Sequence, residues 1–113
     1  MKFLITGASG FVGKNLSEKL LELYGNGNEF IFIAGRRKLD FLEKHKIGKR
    51  ITVVHCDITD HERMGKYFRG VDHVFHLAAK LDYGDPRRSR YYDVNVAGAE
   101  NIFKLALQHK IRK

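Results

Sequence analysis

Three glycines spaced G-x-x-G-x-x-G, namely Gly7, Gly10 and Gly13, stand between two segments of different periodicity. Before them, Met1 to Thr6 carries the apolar run Phe3-Leu4-Ile5 and reads as a short strand. After them, Phe11 to Tyr24 places Val12, Leu16, Leu20 and Leu23 at the spacing of a core-facing helical stripe, with Ser17, Glu18, Lys19 and Glu22 mostly opposite. Strand, glycine turn and helix together open a dinucleotide-binding βαβ unit. Gly7 is read as the sharp turn off the strand and Gly10 as bare backbone for a pyrophosphate. Gly13 is read as the close packing of helix on sheet. The amides from Ser9 through Phe11 to Val12 then face the phosphates from the positive end of the helix. A tight βα turn without a ligand is the alternative.

The chain continues in the same manner. Gly25-Asn26-Gly27-Asn28 ends the helix, and Glu29 to Ala34 (EFIFIA) is an unbroken apolar run expected of a parallel strand covered on both faces. Gly35-Arg36-Arg37 follows, where the second strand of such a fold meets the adenosine ribose. An acid there selects NAD through the 2′-hydroxyl. This chain has a small residue and two permanent cations instead, which suits a 2′-phosphate and predicts NADP(H), with NAD possible. Arg36 is the expected main contact and Arg37 its support; a solvated basic turn is the alternative.

Leu39 to His45 reads as a short helix, Lys46 to Arg50 as a polar linker and Ile51 to Cys56 as the third strand. Thr59 and Glu62 fit a capping box for a helix over Asp60 to Phe68. Asp57 lies at the carboxyl end of a strand, where open α/β sheets bind ligands, and can accept an adenine amino group or act as a turn residue. His73 to Leu77 is the fourth strand; His73 and His76, three apart, face opposite sides and form no simple metal pair. Lys80 to Gly84 reads as a loop, with Lys80 and Tyr83 as candidate substrate contacts. Asp85 and Pro86 read as the start of a long helix to about His109, with Tyr92, Val96, Ala99, Ile102, Phe103 and Ala106 as its apolar positions.

Five strings, TGASGFVG, AGRR, CDITD, VDHVFHLAA and YYDVNVAGAENIFKLA, resemble the extended short-chain dehydrogenase/reductase family, which contains sugar epimerases, dehydratases and reductases. The resemblance implies a Rossmann-type α/β fold, with helices on both faces of a four-stranded parallel sheet ordered 3-2-1-4. It implies adenine contacts for Asp57 and Ile58, and a cofactor ribose and nicotinamide lying against Leu77, Ala78 and Ala79. Asn95 has a structural or proton-relay role in relatives and is read here as structural, with Gly98 allowing close helix packing. Cys56 stands where the family more often has glycine. The family's chemistry uses a Tyr-x-x-x-Lys pair, which this sequence lacks: the residues four after Tyr24, Tyr67, Tyr83, Tyr91 and Tyr92 are Asn28, Val71, Arg87, Asn95 and Val96. The resemblance therefore covers the chain as a single dinucleotide-binding unit, residues 1–113, that corresponds to the N-terminal part of the family's length.

Two readings follow. One is the cofactor-binding portion of a longer NADP-dependent reductase, epimerase or dehydratase, acting on a sugar-nucleotide, steroid or similar carbonyl or hydroxyl substrate. The other is a free-standing dinucleotide-binding module without catalysis. The unpaired edge of the fourth strand would be covered by a continuation or by a homodimer. The charge balance, 21 Lys and Arg against 13 Asp and Glu, is scattered apart from Arg36-Arg37-Lys38 and Arg87-Arg88-Ser89-Arg90, and is assigned to an anionic cofactor and a solvated surface rather than to nucleic acid. No stretch approaches the roughly 20 apolar residues of a membrane helix, and the glycine-rich start does not read as a signal peptide. Cys56, the single cysteine, reads as a small core residue, and the cytoplasm is the expected location.

Overall fold

A computed structural model describes residues 1–45, 50–80 and 91–113. Strands β1 (Lys2–Thr6), β2 (Glu29–Ala34), β3 (Arg50–His55) and β4 (His73–His76) form one sheet in the order β3-β2-β1-β4. Every pairing is parallel, with Phe3 opposite Phe30 and His73, and Ala34 opposite His55. All four strands therefore present their carboxyl ends along the same edge.

The apolar runs of β1 and β2 are explained by burial on both faces. On one face Phe3, Ile5, Phe30 and Phe32 pack with Leu20 and Leu21 of α1 (Phe11–Tyr24) and with Leu42 of a 3₁₀ turn, Asp40–His45. On the other, Leu4, Ile31 and Ile33 pack with Met64 of α2 (His61–Gly65) and with Ile102 and Leu105 of α3 (Gly98–Gln108). β3 alternates in exposure along its length, as an edge strand with one covered face does.

Five expectations need correction. The buried face of α1 is Gly13, Ser17, Leu20 and Leu21, whereas Val12 and Leu23 are exposed. The stripe is rotated because Gly13 must press against the turn, and Ser17 is tolerated inside because its hydroxyl donates to the Gly13 carbonyl at 2.6 Å. The helix expected over Leu39 to His45 is a 3₁₀ turn over Asp40–His45 rather than an α-helix. The helix after β3 is short, and Asp60 is its N-cap, accepting from the Arg63 amide at 3.0 Å; Thr59 instead bonds back to Asp57. In the last helix Tyr92, Val96 and Phe103 are exposed, and the inward residues are Gly98, Asn101, Ile102 and Leu105. That helix is preceded by a π-helical turn over Asp93–Ala97, an extra residue in the winding that displaces the apolar stripe. Of the expected polar linker Lys46 to Arg50, Arg50 instead opens β3; residues 46–49, the helix start at Asp85-Pro86, Tyr83 and the cluster at Arg87–Arg90 lie outside the described residues.

The outer edge of β4 carries one further contact. The Val74 amide donates to the main-chain oxygen of Lys113 at 2.8 Å, so the last residue lies beside β4.

Candidate dinucleotide site

The turn leaving β1 is built by close backbone approach. Gly7 has φ +75°, and a Cβ there would come within 2.4 Å of the Leu77 carbonyl carbon and 2.5 Å of the Ala78 nitrogen. A side chain would therefore separate β1 from the end of β4. A Cβ at Gly13 would sit 2.1 Å from the Gly7 carbonyl oxygen, so the helix packs on the turn itself. Gly10 differs: a Cβ there would meet nothing nearer than 3.5 Å, an ordinary contact. Its backbone is extended, at φ −77° and ψ 169°. Among the described residues neither packing nor conformation demands a glycine at position 10.

Gly10 is also the N-cap of α1, with no side-chain cap and no acidic residue in the first turn. The amides of Phe11 and Val12 thus head a 14-residue helix at an exposed end, beside exposed Ser9. Uncapped donors and the positive end of the helix dipole favour an anion there.

Thr6, fully buried, joins this turn to the end of β4. Its hydroxyl accepts from the Leu77 and Ala78 amides, both at 3.2 Å, and lies 2.8 Å from His76 Nδ1. The Leu77 amide is shared with the Thr6 main-chain carbonyl at 3.1 Å; with the hydroxyl oxygen accepting from the amides, its proton points to His76 Nδ1 as the acceptor in reach. Burial pushes the His76 imidazole below its ordinary pKa. Leu77 and Ala78 are thereby held half-buried against Gly7, and Ala79 is exposed. Lys80 is held by Asn95, whose amide accepts from the Lys80 nitrogen at 2.8 Å and donates to the Lys80 carbonyl at 3.2 Å. Residue-by-residue reading passed over Thr6; its small polar side chain, placed as the last residue of an apolar strand, was the available signal.

Beyond the carboxyl end of β2, beside the glycine turn, Gly35, Arg36 and Arg37 are exposed, and neither arginine makes an ion pair among the described residues. Asp57 is exposed, and its Oδ1 accepts from the Thr59 amide at 2.9 Å and the Thr59 hydroxyl at 2.8 Å. It is a turn residue with its second carboxylate oxygen outside that turn. Ile58 points its side chain into the core, and its carbonyl accepts from Asn101 Nδ2 at 2.6 Å. Only the rest of its main chain is left for a ligand. Among the described residues no cluster of His, Cys, Asp and Glu could hold a metal ion. Cys56 is buried, and desolvation raises its thiol pKa. A groove of about 440 Å³ between α2 and α3, lined by His61, Lys66, Arg69, Leu105 and His109, contains none of these residues.

A parallel 3-2-1-4 sheet, helices on both faces and a glycine turn at the head of α1 define a Rossmann-type fold. The model of the NAD dependent epimerase/dehydratase family matches residues 3–113, and the chain belongs to that family. It is 33% identical over 110 residues to a 2-alkyl-3-oxoalkanoate reductase of Shewanella oneidensis, covering 96% of this chain and 26% of that protein. It is 31% identical over 119 residues to a UDP-glucose 4-epimerase of Halalkalibacterium halodurans, covering 100% and 33%. Among solved structures, the dTDP-glucose 4,6-dehydratase of Streptomyces venezuelae with NAD bound superposes with a TM-score of 0.86 at 26% identity, over 98% of this chain and 37% of that one. The chain thus spans about a quarter to a third of the length of the curated relatives it matches.

Proposed function

We propose that this chain is the NADP(H)-binding, amino-terminal part of an extended short-chain dehydrogenase/reductase that acts on a carbonyl or hydroxyl of a sugar nucleotide, steroid or similar small molecule. The observation that carries the reading is Gly10. The packing of the described residues leaves that position free to hold a side chain, and it nevertheless lies bare at the uncapped head of α1. A pyrophosphate approaching the Gly10 backbone and the amides of Phe11 and Val12 accounts for it. Gly7 and Gly13 make the turn, Asp57 and the Ile58 main chain border adenine, and Leu77, Ala78 and Ala79 border the ribose and nicotinamide.

The absence of an acid at Gly35-Arg36-Arg37 supports NADP over NAD. The exposed guanidinium of Arg36 is available to a 2′-phosphate, with Arg37 adding charge. The bound nicotinamide would supply the hydride chemistry; the described residues bind and orient it, and without a Tyr-x-x-x-Lys pair the chain alone transfers no proton to a substrate oxygen. The shares of length matched in relatives support a longer native protein. A homodimer through the β4 edge would have to displace the contact of Lys113 with Val74. Within the described residues no helix is long and apolar enough to cross a membrane, and the lone buried thiol suits work in the cytoplasm.

Arg36→Ala tests the cofactor assignment. It is expected to weaken NADPH binding by about tenfold or more, the worth of a charge-assisted contact, while NADH binding changes little. Equal losses for both dinucleotides, followed by fluorescence titration, would contradict it.

A further inference from the structure

The turn that carries Arg36 is held by a side chain from the neighbouring strand. The main-chain ladder between β2 and β3 ends with the Cys56 amide donating to the Ala34 carbonyl at 3.0 Å. One residue further, the Gly35 carbonyl has left the ladder, and His55 Nδ1 lies 2.8 Å from it. A carbonyl can only accept, so Nδ1 carries the proton and Nε2 is the other, outward nitrogen. His55 stands opposite Ala34 in the register, at the last position of β3. In a regular strand the Gly35 carbonyl would face away from β3, since the Ala34 carbonyl faces towards it; at the turn it faces the His55 imidazole instead.

The consequence falls on Arg36. The carbonyl of Gly35 and the N–H of Arg36 belong to one planar trans peptide and point in opposite directions. Holding the carbonyl towards His55 turns the Arg36 amide the other way, and so restricts the set of directions open to the Arg36 side chain as it leaves the turn. Gly35 gives this peptide no steric restraint of its own, since a Cβ there would meet nothing within 4 Å. The geometry points to His55 as a specificity-determining positioning residue: through the Gly35 carbonyl it sets Arg36 for recognition of the 2′-phosphate of NADP(H). This rests on the NADP(H) reading above.

The test compares dissociation constants for NADPH and NADH, which differ only in that phosphate, in four proteins: wild type, His55→Leu, His55→Asn and the double variant His55→Leu with Arg36→Ala. His55→Leu keeps an apolar strand-former but no donor, and one lost hydrogen bond sets the expected fall in NADPH preference at about fivefold, with NADH binding within about twofold of wild type. His55→Asn, whose amide reaches about as far as Nδ1, keeps the preference. The double variant prefers NADPH no less than Arg36→Ala alone, because His55 acts through Arg36. An unchanged preference in His55→Leu, equal weakening of both dinucleotides, or losses that simply add in the double variant would each overturn the role of His55. A wild type without preference for NADPH would overturn the underlying cofactor reading instead, and the role of His55 with it.

Discussion

Three glycines at one spacing do three different things, and substitution separates them. Gly7 needs both its positive φ and its lack of a Cβ, because backbone of Leu77 and Ala78 occupies that space. Gly7→Ala is expected to cost about 2 kcal/mol or more in urea unfolding, from left-handed strain and backbone contact together. Gly10→Ala adds only an N-cap preference, under about 1 kcal/mol, yet places a methyl where the pyrophosphate approaches. Its unfolding curve should lie close to wild type while dinucleotide affinity falls. A variant that binds normally would show that Gly10 is bare for no ligand's sake. The motif was legible as a motif, but the division of labour among its glycines was not, because it depends on the end of β4, seventy residues away in the chain.

Between elements, the informative contacts join strand ends. Thr6 ties β1 to Leu77 and Ala78 with a hydroxyl buried at 0% exposure. Thr6→Val keeps the shape and strands the Ala78 amide and His76 Nδ1, at an expected cost of about 1–3 kcal/mol. A loss under about 0.5 kcal/mol in chemical denaturation would remove Thr6 from that role. His76 adds a pH dependence. Its folded pKa lies below the ordinary value, so between the two values the unfolded chain binds more protons. Its share of stability is complete above about pH 6.5 and is lost as pH falls below it. Melting at pH 5.5 and 7.5 should show a smaller acid loss for His76→Asn, which retains an acceptor for Thr6, than for wild type; identical losses would place the titration elsewhere.

Strand positions were readable because β1 and β2 are buried on both faces and so are apolar without interruption. Helix faces were less readable. Gly13 and Ser17 outcompete Val12 and Leu23 for the inner side of α1 because closeness of approach, not hydrophobicity, decides that contact. On α3, Asn101 points inward because the Ile58 carbonyl and His61 need partners, 2.6 Å and 2.5 Å away, which no periodicity in apolar residues reveals. Asp60 displaced Thr59 as cap because Asp57 had already engaged Thr59, a competition among neighbours that the capping pattern does not encode.

For the molecule as a whole, one sheet edge gathers the glycine turn, the Arg36 turn, Asp57 and the end of β4. The chain belongs to the NAD dependent epimerase/dehydratase family and superposes on a dehydratase that has NAD bound; the dinucleotide proposed for this chain lies along that edge. Amide chemical-shift mapping during an NADPH titration examines the whole edge at once. The expected result is saturable shifts at Ser9 to Val12, Arg36, Asp57 and Ala78, with the groove between α2 and α3 unaffected. No saturable shift at those amides, or shifts confined to His61, Lys66, Arg69 and His109 of that groove, would contradict the proposed site.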